Sequence, residues 1–311
     1  MRIVGKREAG QYFTTGNPFS HPSFLHWAHK AGLPSKQILE PFAGSNNLIA
    51  LLEGMGLCQH SISYDLIPAA HGVQQRDTLR NFPKGYDVCI TNPPWLAKNS
   101  ATVRGLGYPS ECPYDNVYKY ALEQSLIHCG YVAMLVPESF ITAHVLQDRL
   151  QDFISITAGL FSETTHPVGL ALFVPEPVQD VTIWSGMTQV GLLSKLKSLR
   201  PSPHQDGFAI HFNREDGNVG LIALDNTKEA SIRFCEVREL ADYRVKATGR
   251  HITKLLVNSH VKIGEWNAVL NEFRDKTQDV LMTCYKGMRK DGKYRRRCDW
   301  ALARGVIHHV N

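Results

Sequence analysis

Apolar residues along the first 187 positions recur in two spacings that alternate along the chain. Short runs of aliphatic and β-branched residues are typical of buried strands, and longer segments place their apolar residues on one helical face. The predicted strands lie in SKQILEPFAG, SISYDLI, YDVCITNPP, YVAMLVPESFI and LALFVPE, and the predicted helices in NNLIALLEGMG and NVYKYALEQSLIHCG. Strand–helix–strand repetition predicts parallel crossovers and therefore an α/β fold, a doubly wound sheet with helices on both faces.

Polar and small residues follow several of these strands directly. The strand that ends at Glu40 continues through Pro41 into a turn with Gly44, where a ligand can approach the backbone closely. Acidic residues stand at the next two predicted strand ends, Asp65 and Asp77. Each is either a helix N-cap or an acceptor for a ligand, as the acid that binds ribose is in nucleotide-binding sheets. Because such sheets bind ligands beyond the carboxyl ends of their strands, we expect these residues in one site.

The strand YDVCI is followed by an unusual tetrapeptide, Asn92-Pro93-Pro94-Trp95. It combines an amide side chain, two rings that fix φ near −65° and an indole ring. The alternative is an ordinary loop after a strand. The other strand-end motifs make a functional loop the better interpretation.

Residues 188–311 predict a smaller α/β domain, with a linker near 199–207 that is rich in Pro, Ser and Gly. The predicted elements are a β-hairpin in GFAIHFNREDGNVGLIALD, short strands in ASIRFCEV and YRVKA, and an amphipathic helix in GEWNAVLNEFRDK. The hairpin prediction depends on apolar alternation on both sides of Asp216-Gly217.

The composition is ordinary for one large or two moderate globular domains: 311 residues, 43% hydrophobic and 20% charged. The sequence has no run of 18 apolar residues and no apolar N-terminal segment with a cleavage site, so we expect neither a membrane span nor secretion. The seven cysteines and 14 histidines are dispersed, without the spacing of a zinc site. We therefore expect reduced thiols, no bound metal and a cytoplasmic protein.

The charge of the chain is divided unevenly. Residues 1–187 carry 12 basic and 15 acidic side chains, whereas residues 188–311 carry 22 and 14, a net charge of +8. The densest basic segment, residues 286–304, holds eight basic and two acidic residues and includes Tyr294 and Trp300. We interpret it as a surface for a polyanion; the alternative is a solvated basic tail.

Together these motifs resemble those of S-adenosylmethionine-dependent methyltransferases, and more narrowly of the DNA methyltransferases that modify the N6 amino group of adenine. GQYFTTGNPF resembles the family's N-terminal cofactor segment, with Thr15 in place of the usual proline. EPFAGSNN is similar to the methionine-binding loop, with Asn46 at the position of its second glycine. NPPW matches the catalytic motif, and the motif order is that of the gamma arrangement. The resemblance covers about residues 8 to 177.

The resemblance implies a Rossmann-like catalytic domain over residues 1–187 that binds S-adenosyl-L-methionine, and a target-recognition domain over residues 188–311 that binds double-stranded DNA. The implied cofactor-binding residues are Tyr12, Phe13, Thr14, Glu40, Pro41, Ala43, Gly44, Asp65, Leu66 and Asp77. Among them, Asp65 is implied to bind the ribose and Asp77 the adenine amino group. The DNA contacts expected from the basic segment are Arg289, Lys293, Arg295, Arg296 and Arg297.

The implied chemistry gives each residue of the tetrapeptide a role. The exocyclic amine of adenine is a poor nucleophile because its lone pair is delocalised into the ring. The side-chain oxygen of Asn92 and the carbonyl of Pro93 can each accept one N–H and direct the lone pair towards the methyl donor. Pro93 and Pro94 carry no N–H, so no backbone donor competes there. Trp95 can stack on a base flipped out of the duplex, and Asn92, where serine would favour cytosine N4, favours adenine.

Two other functions stay open at the level of sequence. One is an amino-methyltransferase that acts on RNA bases or on a protein glutamine, because an amide nitrogen poses the same chemical problem. The other is a catalytically inactive module that binds nucleic acid. The GQYFT segment and the basic second part favour DNA, and the intact Asn92-Pro93-Pro94 favours catalysis. The sequence determines neither the recognition site nor whether a cognate restriction endonuclease is a partner.

Overall fold

The chain forms two compact units, Met1–Gln189 and Val190–Asn311. The computed structural model describes residues 14, 16–157, 160, 165–204 and 207–311. Tyr12 and Phe13, which the sequence assigns to the cofactor site, lie outside the described residues.

The first unit is built around a nine-stranded sheet. Its strands are β1 (Gln37–Glu40), β2 (His60–Asp65), β3 (Val73–Gln75), β4 (Val88–Thr91), β5 (Tyr131–Pro137), β6 (Leu150–Ile156), β7 (Val168–Phe173), β8 (Thr182–Ser185) and β9 (Thr188–Leu192), which runs past the division into the second unit. Its helices are α1 (Pro22–Ala31), α2 (Asn47–Gly54), α3 (Lys98–Arg104) and α4 (Val117–His128). The strand order is β3-β2-β1-β4-β5-β7-β6-β8-β9.

The sheet is parallel where the candidate site lies. Strands β1 to β5 pair in parallel, whereas β7 runs antiparallel between β5 and β6. The predicted α/β class with a doubly wound, Rossmann-like sheet is thus confirmed. From β1 the chain order extends one way through β2 and β3, and from β4 it extends the other way through β5. The topological switch point therefore lies between β1 and β4.

Helices cover both faces of this sheet. On one face, α1 and α2 bury Trp27 and Ile49 in the same apolar cluster as Ile38 of β1. Trp27 is fully buried, which contributes about 2–3 kcal/mol, and its Nε1 donates to the carbonyl of Phe173 at 2.9 Å. On the other face, the thiol of Cys89 in β4 lies 3.7 Å from the hydroxyl of Ser125 in α4.

The second unit combines an antiparallel sheet, a two-stranded ribbon and three helices. Its strands are β10 (Ile210–Phe212), β11 (Val219–Ile222), β12 (Arg233–Cys235), β13 (Ile252–Val257), β14 (Thr283–Met288) and β15 (Tyr294–Arg297), and its helices are α5 (Leu193–Ser198), α6 (Ile263–Thr277) and α7 (Trp300–Val310). The four-stranded sheet has the order β10-β13-β11-β12, and β14 pairs with β15 to form the ribbon.

Two sequence predictions for this unit are wrong, and two are confirmed, one of which is the strand in ASIRFCEV, present as β12. β10 and β11 do not form a hairpin, because β13 lies between them and pairs with both. The segment YRVKA, residues 243–247, is not a strand: all five residues are exposed, and no neighbouring strand pairs with their backbone in the described part of the chain. The helix predicted in GEWNAVLNEFRDK is present as α6.

A buried charge network joins α6 to the ribbon. The carboxylate of Asp225 is 0% exposed and accepts hydrogen bonds from both terminal nitrogens of Arg274, at 3.1 and 2.9 Å. It also accepts one from Nη1 of Arg289 at 3.0 Å, while Arg274 donates from Nε to Asp279 at 2.7 Å. Because a buried charge is tolerated only when it is paired, these contacts fix the relative position of three chain segments.

Candidate active site

A cavity of about 480 Å³ lies at the carboxyl ends of β1, β2 and β4. Of the residues that the sequence assigns to the site, the cavity is lined by Thr14, Glu40, Ala43, Gly44, Asp65, Leu66, Asp77, Asn92, Pro93 and Pro94. Its volume falls in the range of about 300–1,000 Å³ that is usual for small-molecule sites. Because β1 and β4 flank the switch point, the cavity lies where sheets of this kind bind ligands.

The turn between β1 and α2 brings the backbone close to this cavity. Gly44 and Asn46 both adopt left-handed backbone, with φ of 52° and 60°. Glycine adopts this conformation at no steric cost, and asparagine tolerates it better than most residues. The side-chain oxygen of Asn46 also accepts a hydrogen bond from the hydroxyl of Ser63 at 2.7 Å. Asparagine at the position of the second glycine is therefore compatible with a tight turn.

The carboxylate of Asp65 connects two loops at the edge of the cavity. Its Oδ2 accepts the N–H of Gly44 at 2.7 Å, and its Oδ1 accepts the N–H of Ile67 at 2.8 Å. Each carboxylate oxygen has two lone pairs, so Asp65 retains capacity to accept from a ligand. The residue thus has a structural role in the loops and faces the cavity as well.

Glu40 is a buried acid at the end of β1. It is 1% exposed and lines the cavity, and its Oε2 has no hydrogen-bond partner among the described residues. Burial raises the pKa of Glu40 well above its ordinary value, and the charge of Asp65 raises it further, against a hydrogen bond from the backbone of Ile49. The environment thus favours a neutral carboxyl group that can donate or accept a hydrogen bond in the cavity.

Asp77 lies two residues beyond β3, also at the cavity. Its Oδ1 accepts the N–H of Arg80 at 3.3 Å, and the Nε of Arg80 lies 3.6 Å from its Oδ2. The neighbouring Thr78 donates its hydroxyl to the carbonyl of Pro41 at 2.8 Å. Pro41 itself is not among the lining residues. Thr78 was not predicted as a site residue from the sequence, where its only signal is its position beside Asp77.

Thr14 is the residue of the predicted N-terminal cofactor segment that lines the cavity. This residue is buried and lines the cavity, and its carbonyl accepts a hydrogen bond from Nδ2 of Asn47 at 2.8 Å. Asn47 is the first residue of α2 and lines the same cavity, although the sequence analysis did not assign it to the site. Thr14 therefore contacts the glycine turn at the start of α2.

The four residues of the tetrapeptide after β4 line two different cavities. Asn92, Pro93 and Pro94 line the cavity described above. Trp95 does not: its ring packs against the apolar core of the first unit, and its Nε1 donates to the carbonyl of Leu135 at 3.4 Å. Trp95 lines instead a second cavity of about 530 Å³, together with Tyr118. Stacking of Trp95 on a target base stays a prediction.

The basic segment 286–304 folds into the ribbon and the start of α7. Along β15, Tyr294 and Arg296 are buried while Arg295 and Arg297 are half-buried, the alternation of a strand with one covered face. Only some of its arginines are therefore available to a partner.

Arg289 and Arg296, which the sequence predicts as DNA contacts, are both buried. They are 6% and 5% exposed, and Arg289 donates to Asp225 at 3.0 Å and to Asp291 at 2.7 Å. The guanidinium of Arg289 held in this way stabilises the fold, and withdrawing it from its carboxylates would leave buried charges unpaired. Lys293, Arg295 and Arg297 remain as expected contacts from this segment.

Two kinds of feature are absent from the described residues. No group of three or more His, Cys, Asp or Glu side chains in that part of the chain could hold a metal ion. None of the helices that the structure describes is both long enough and apolar enough to span a bilayer.

No family model and no curated protein matches the sequence. Solved structures similar to the chain include a putative class I S-adenosylmethionine-dependent methyltransferase from Listeria monocytogenes, with 16% identity, a TM-score of 0.38 and coverage of 53% of this chain and 64% of that one. Another is the methyltransferase subunit of a type I restriction-modification system from Streptococcus thermophilus, with 15% identity, a TM-score of 0.39 and coverage of 57% and 48%. The M protein of the type I restriction enzyme EcoKI has 11% identity, a TM-score of 0.38 and coverage of 91% and 67%.

The chain thus spans 64% of the Listeria protein and about half of the Streptococcus subunit. All three identities lie below 25% and all three TM-scores below 0.5. Similarities of this size identify neither a reaction nor a substrate.

Proposed function

We propose that the protein is an S-adenosylmethionine-dependent methyltransferase that methylates the N6 amino group of adenine in double-stranded DNA. The observation that supports this best is that one cavity is lined by the glycine turn, by Asp65 and Asp77, and by Asn92-Pro93-Pro94. These motifs are far apart in sequence, yet they meet at the switch point of the sheet, where a cofactor and an acceptor would have to meet.

The residues of the cavity fit S-adenosylmethionine in size and in chemistry. A volume of about 480 Å³ accommodates a nucleoside with an amino-acid chain. Asp65 and Asp77 offer acceptors for ribose hydroxyls and an adenine amino group. The Oε2 of Glu40, which has no hydrogen-bond partner in the described part of the chain, offers a polar group next to the glycine turn, where the methionine part would lie. When bound, S-adenosylmethionine supplies an electrophilic methyl group.

The residues after β4 would act on the acceptor amine. The amide oxygen of Asn92 accepts one N–H of the target amine, and the carbonyl of Pro93 accepts the other. Both contacts draw the nitrogen lone pair out of conjugation and orient it towards the cofactor part of the cavity. Pro93 and Pro94 keep φ near −65° and add no N–H of their own, so these acceptors stay in place. The reaction needs positioned acceptors more than a strong base.

The positive charge of the second unit supports nucleic acid as the substrate. Residues 188–311 have a net charge of +8, whereas residues 1–187 have −3. A concentration of positive charge in one unit favours a polyanion partner and accelerates its association. We therefore propose the second unit as the part that binds and selects the DNA target.

The test is methyl transfer from tritium-labelled S-adenosylmethionine to duplex DNA, RNA and protein, followed by nucleoside analysis of the labelled product. We expect label in N6-methyladenine from duplex DNA, and at least about 100-fold less with the Asn92→Ala variant. Label in RNA or in glutamine would replace the proposed substrate by that one. DNA binding without any transfer would identify an inactive binding module.

A further inference from the structure

The second unit holds a basic cluster, which we call the Tyr285 cluster, made of Lys246, His251, Tyr285, Arg295 and Arg297. His251 and Arg295 contact the ring of Tyr285, and the charges of Lys246 and Arg297 act on His251. The five residues come from the loop before β13, from β14 and from β15. The proposed methyl transfer does not use them, and only Arg295 and Arg297 were expected from sequence to contact a partner.

Contacts within the cluster hold the side chain of Arg295 in one position. Its guanidinium carbon lies 5.1 Å from the centroid of the Tyr285 ring, a cation–π distance. The ring of His251 meets Tyr285 edge-on, with centroids 5.1 Å apart and an interplanar angle of 86°. The Nε of Arg295 donates to the carbonyl of Asp225 at 2.8 Å. The four N–H groups on its two terminal nitrogens remain for a partner, in the planar fork that suits phosphate.

The positive charge of the cluster is not neutralised internally. Among the described residues, no carboxylate forms an ion pair with Lys246, Arg295 or Arg297. Burial lowers the pKa of His251, and the charges of Arg297, Arg295 and Lys246 lower it further. In contrast, the exposed Arg214 and Arg238 of the same unit both pair with acids. The cluster thus holds positive charge that no carboxylate of the described residues neutralises by an ion pair.

A second arrangement of the same kind includes Arg250, which precedes His251 in the sequence. The rings of Phe212 and Trp300 stack at 4.6 Å and 16°. The guanidinium of Arg304 lies over Phe212 at 4.8 Å, and that of Arg250 over Trp300 at 5.7 Å. Aromatic rings therefore carry arginine side chains at two places in this unit, so the contact of Arg295 with Tyr285 is not an isolated feature.

We infer that the Tyr285 cluster is a phosphate-binding surface for duplex DNA, in which the ring of Tyr285 positions the guanidinium of Arg295. The choice of DNA as partner rests on the proposed function, whereas the location of the surface rests on the contacts of the cluster. Arg295 and Arg297 contact phosphates, and Tyr285 is a positioning residue that limits the rotamers of Arg295. Phosphate contacts orient the duplex without reading its sequence.

The first test compares the salt dependence of DNA affinity for the wild type, for the double variant Arg295→Gln/Arg297→Gln and for Arg214→Gln. Each lost phosphate contact lowers the slope of log K against log salt by about 0.9. We therefore expect the double variant to lose up to about 1.8 in slope and to bind up to about 60-fold more weakly at about 0.1 M salt, on specific and unrelated duplexes alike. Arg214→Gln removes the same charge from the same unit, outside the cluster, and should leave the slope unchanged.

The second test isolates the aromatic ring. Tyr285→Phe keeps the ring under Arg295 and should bind DNA as the wild type does. Tyr285→Leu removes the ring and should weaken binding about 2- to 5-fold, the range of an exposed cation–π contact. Equal affinity of the two variants would refute the positioning role. Thermal midpoints close to that of the wild type exclude unfolding as the cause of any loss.

The outcomes separate this inference from the proposed function. An unchanged salt slope in the double variant, or tighter binding of duplex RNA than of duplex DNA, would overturn the inference whatever the methylation assay shows. A reduced slope together with no methyl transfer to DNA would support the surface and refute the proposed reaction.

Discussion

Single side chains in the cavity combine a structural contact with a proposed chemical one. Asp65 holds the N–H groups of Gly44 and Ile67, and in our proposal it also accepts from the cofactor ribose. Glu40 is buried at the same edge, and the charge of Asp65 contributes to its raised pKa. Substitutions at these positions must therefore be judged by binding and stability together.

Asp65→Ala should weaken S-adenosylmethionine binding by about 5- to 150-fold, because ribose hydroxyls would lose an acceptor worth about 1–3 kcal/mol in a partly buried site. Calorimetry gives the affinity, and a thermal melt shows how much of the loss comes from the loops. Glu53→Ala, an exposed acid on α2 outside the cavity, is the control. Unchanged cofactor affinity in Asp65→Ala would remove this residue from the site.

Asn92→Ala should reduce methyl transfer by about 100-fold or more, the scale seen when one preorganised polar contact to a reacting group is removed. Cofactor affinity should stay within a few-fold of wild type, since Asn92 acts on the target amine. Single-turnover transfer and calorimetry measure the two quantities separately. Asn99→Ala makes the same chemical change at an exposed position of α3, and its transfer rate should equal that of the wild type. Substantial turnover by Asn92→Ala would contradict the mechanism.

At the scale of elements, the sequence predicts well the strands that end in a polar motif. β1, β2 and β4 are short apolar runs followed by Glu40-Pro41, by Asp65 and by Asn92-Pro93, and the parallel topology brings those ends to one edge. Partners that are distant in sequence are not predictable in this way. The contact of Thr78 with the carbonyl of Pro41 joins residues 37 positions apart, and neither residue type signals the other.

Strand pairing and the burial of charged side chains in the second unit were likewise not predictable from the sequence. Apolar alternation in β10 and β11 indicates the covered face of each strand, but it does not reveal that β13 lies between them. The arginines of β15 suggest a solvated surface, yet Arg296 is buried at the ribbon and Arg289 pairs with Asp225, 64 positions away. A charged residue can be assigned to the interior only when its counter-charge is known.

The turn between β1 and α2 provides an element-scale prediction. Asn46 sits at φ 60°, where a β-branched side chain is strained, so Asn46→Val should lower the free energy of unfolding by about 1–3 kcal/mol. Asn46→Gly should cost less, because glycine accepts the backbone conformation and only the hydrogen bond with Ser63 is lost. Urea unfolding of the three proteins measures the difference. A valine variant as stable as the glycine variant would show that the turn does not require left-handed backbone.

For the whole molecule, our proposal assigns cofactor binding to the first unit and DNA binding to the second. The residues of the proposed cofactor cavity all belong to Met1–Gln189, whereas the excess positive charge and the buried Asp225 network belong to Val190–Asn311. A substitution in the Asp225 network should therefore weaken DNA binding and leave cofactor binding intact.

Asp225→Asn tests this division and has a defined pH dependence. Burial by itself raises the pKa of Asp225, but the hydrogen bond and charge of Arg274 outweigh burial and lower the pKa below its ordinary value. Because the pKa of Asp225 is lower in the folded state, its ionised form stabilises the fold. This contribution is fully present above the unfolded-state pKa of about 3.9. It is lost as the pH falls through the folded-state pKa. At pH 7 the variant leaves Arg274 and Arg289 without their buried counter-charge and should lose about 3–5 kcal/mol.

This loss should be confined to the second unit and should shrink below about pH 4, where the wild type loses the same contribution. Hydrogen exchange at pH 7 should show faster exchange in α6, β14 and β15 of the variant and unchanged exchange in β1, β2 and β4. The affinity for S-adenosylmethionine should stay that of the wild type, while DNA affinity falls because β15 carries Arg295 and Arg297. Asp216→Asn, which removes an exposed acid paired with Arg214, should leave exchange unchanged. If Asp225→Asn instead weakened cofactor binding as strongly as DNA binding, the two units could not be treated as separate carriers of the two proposed activities.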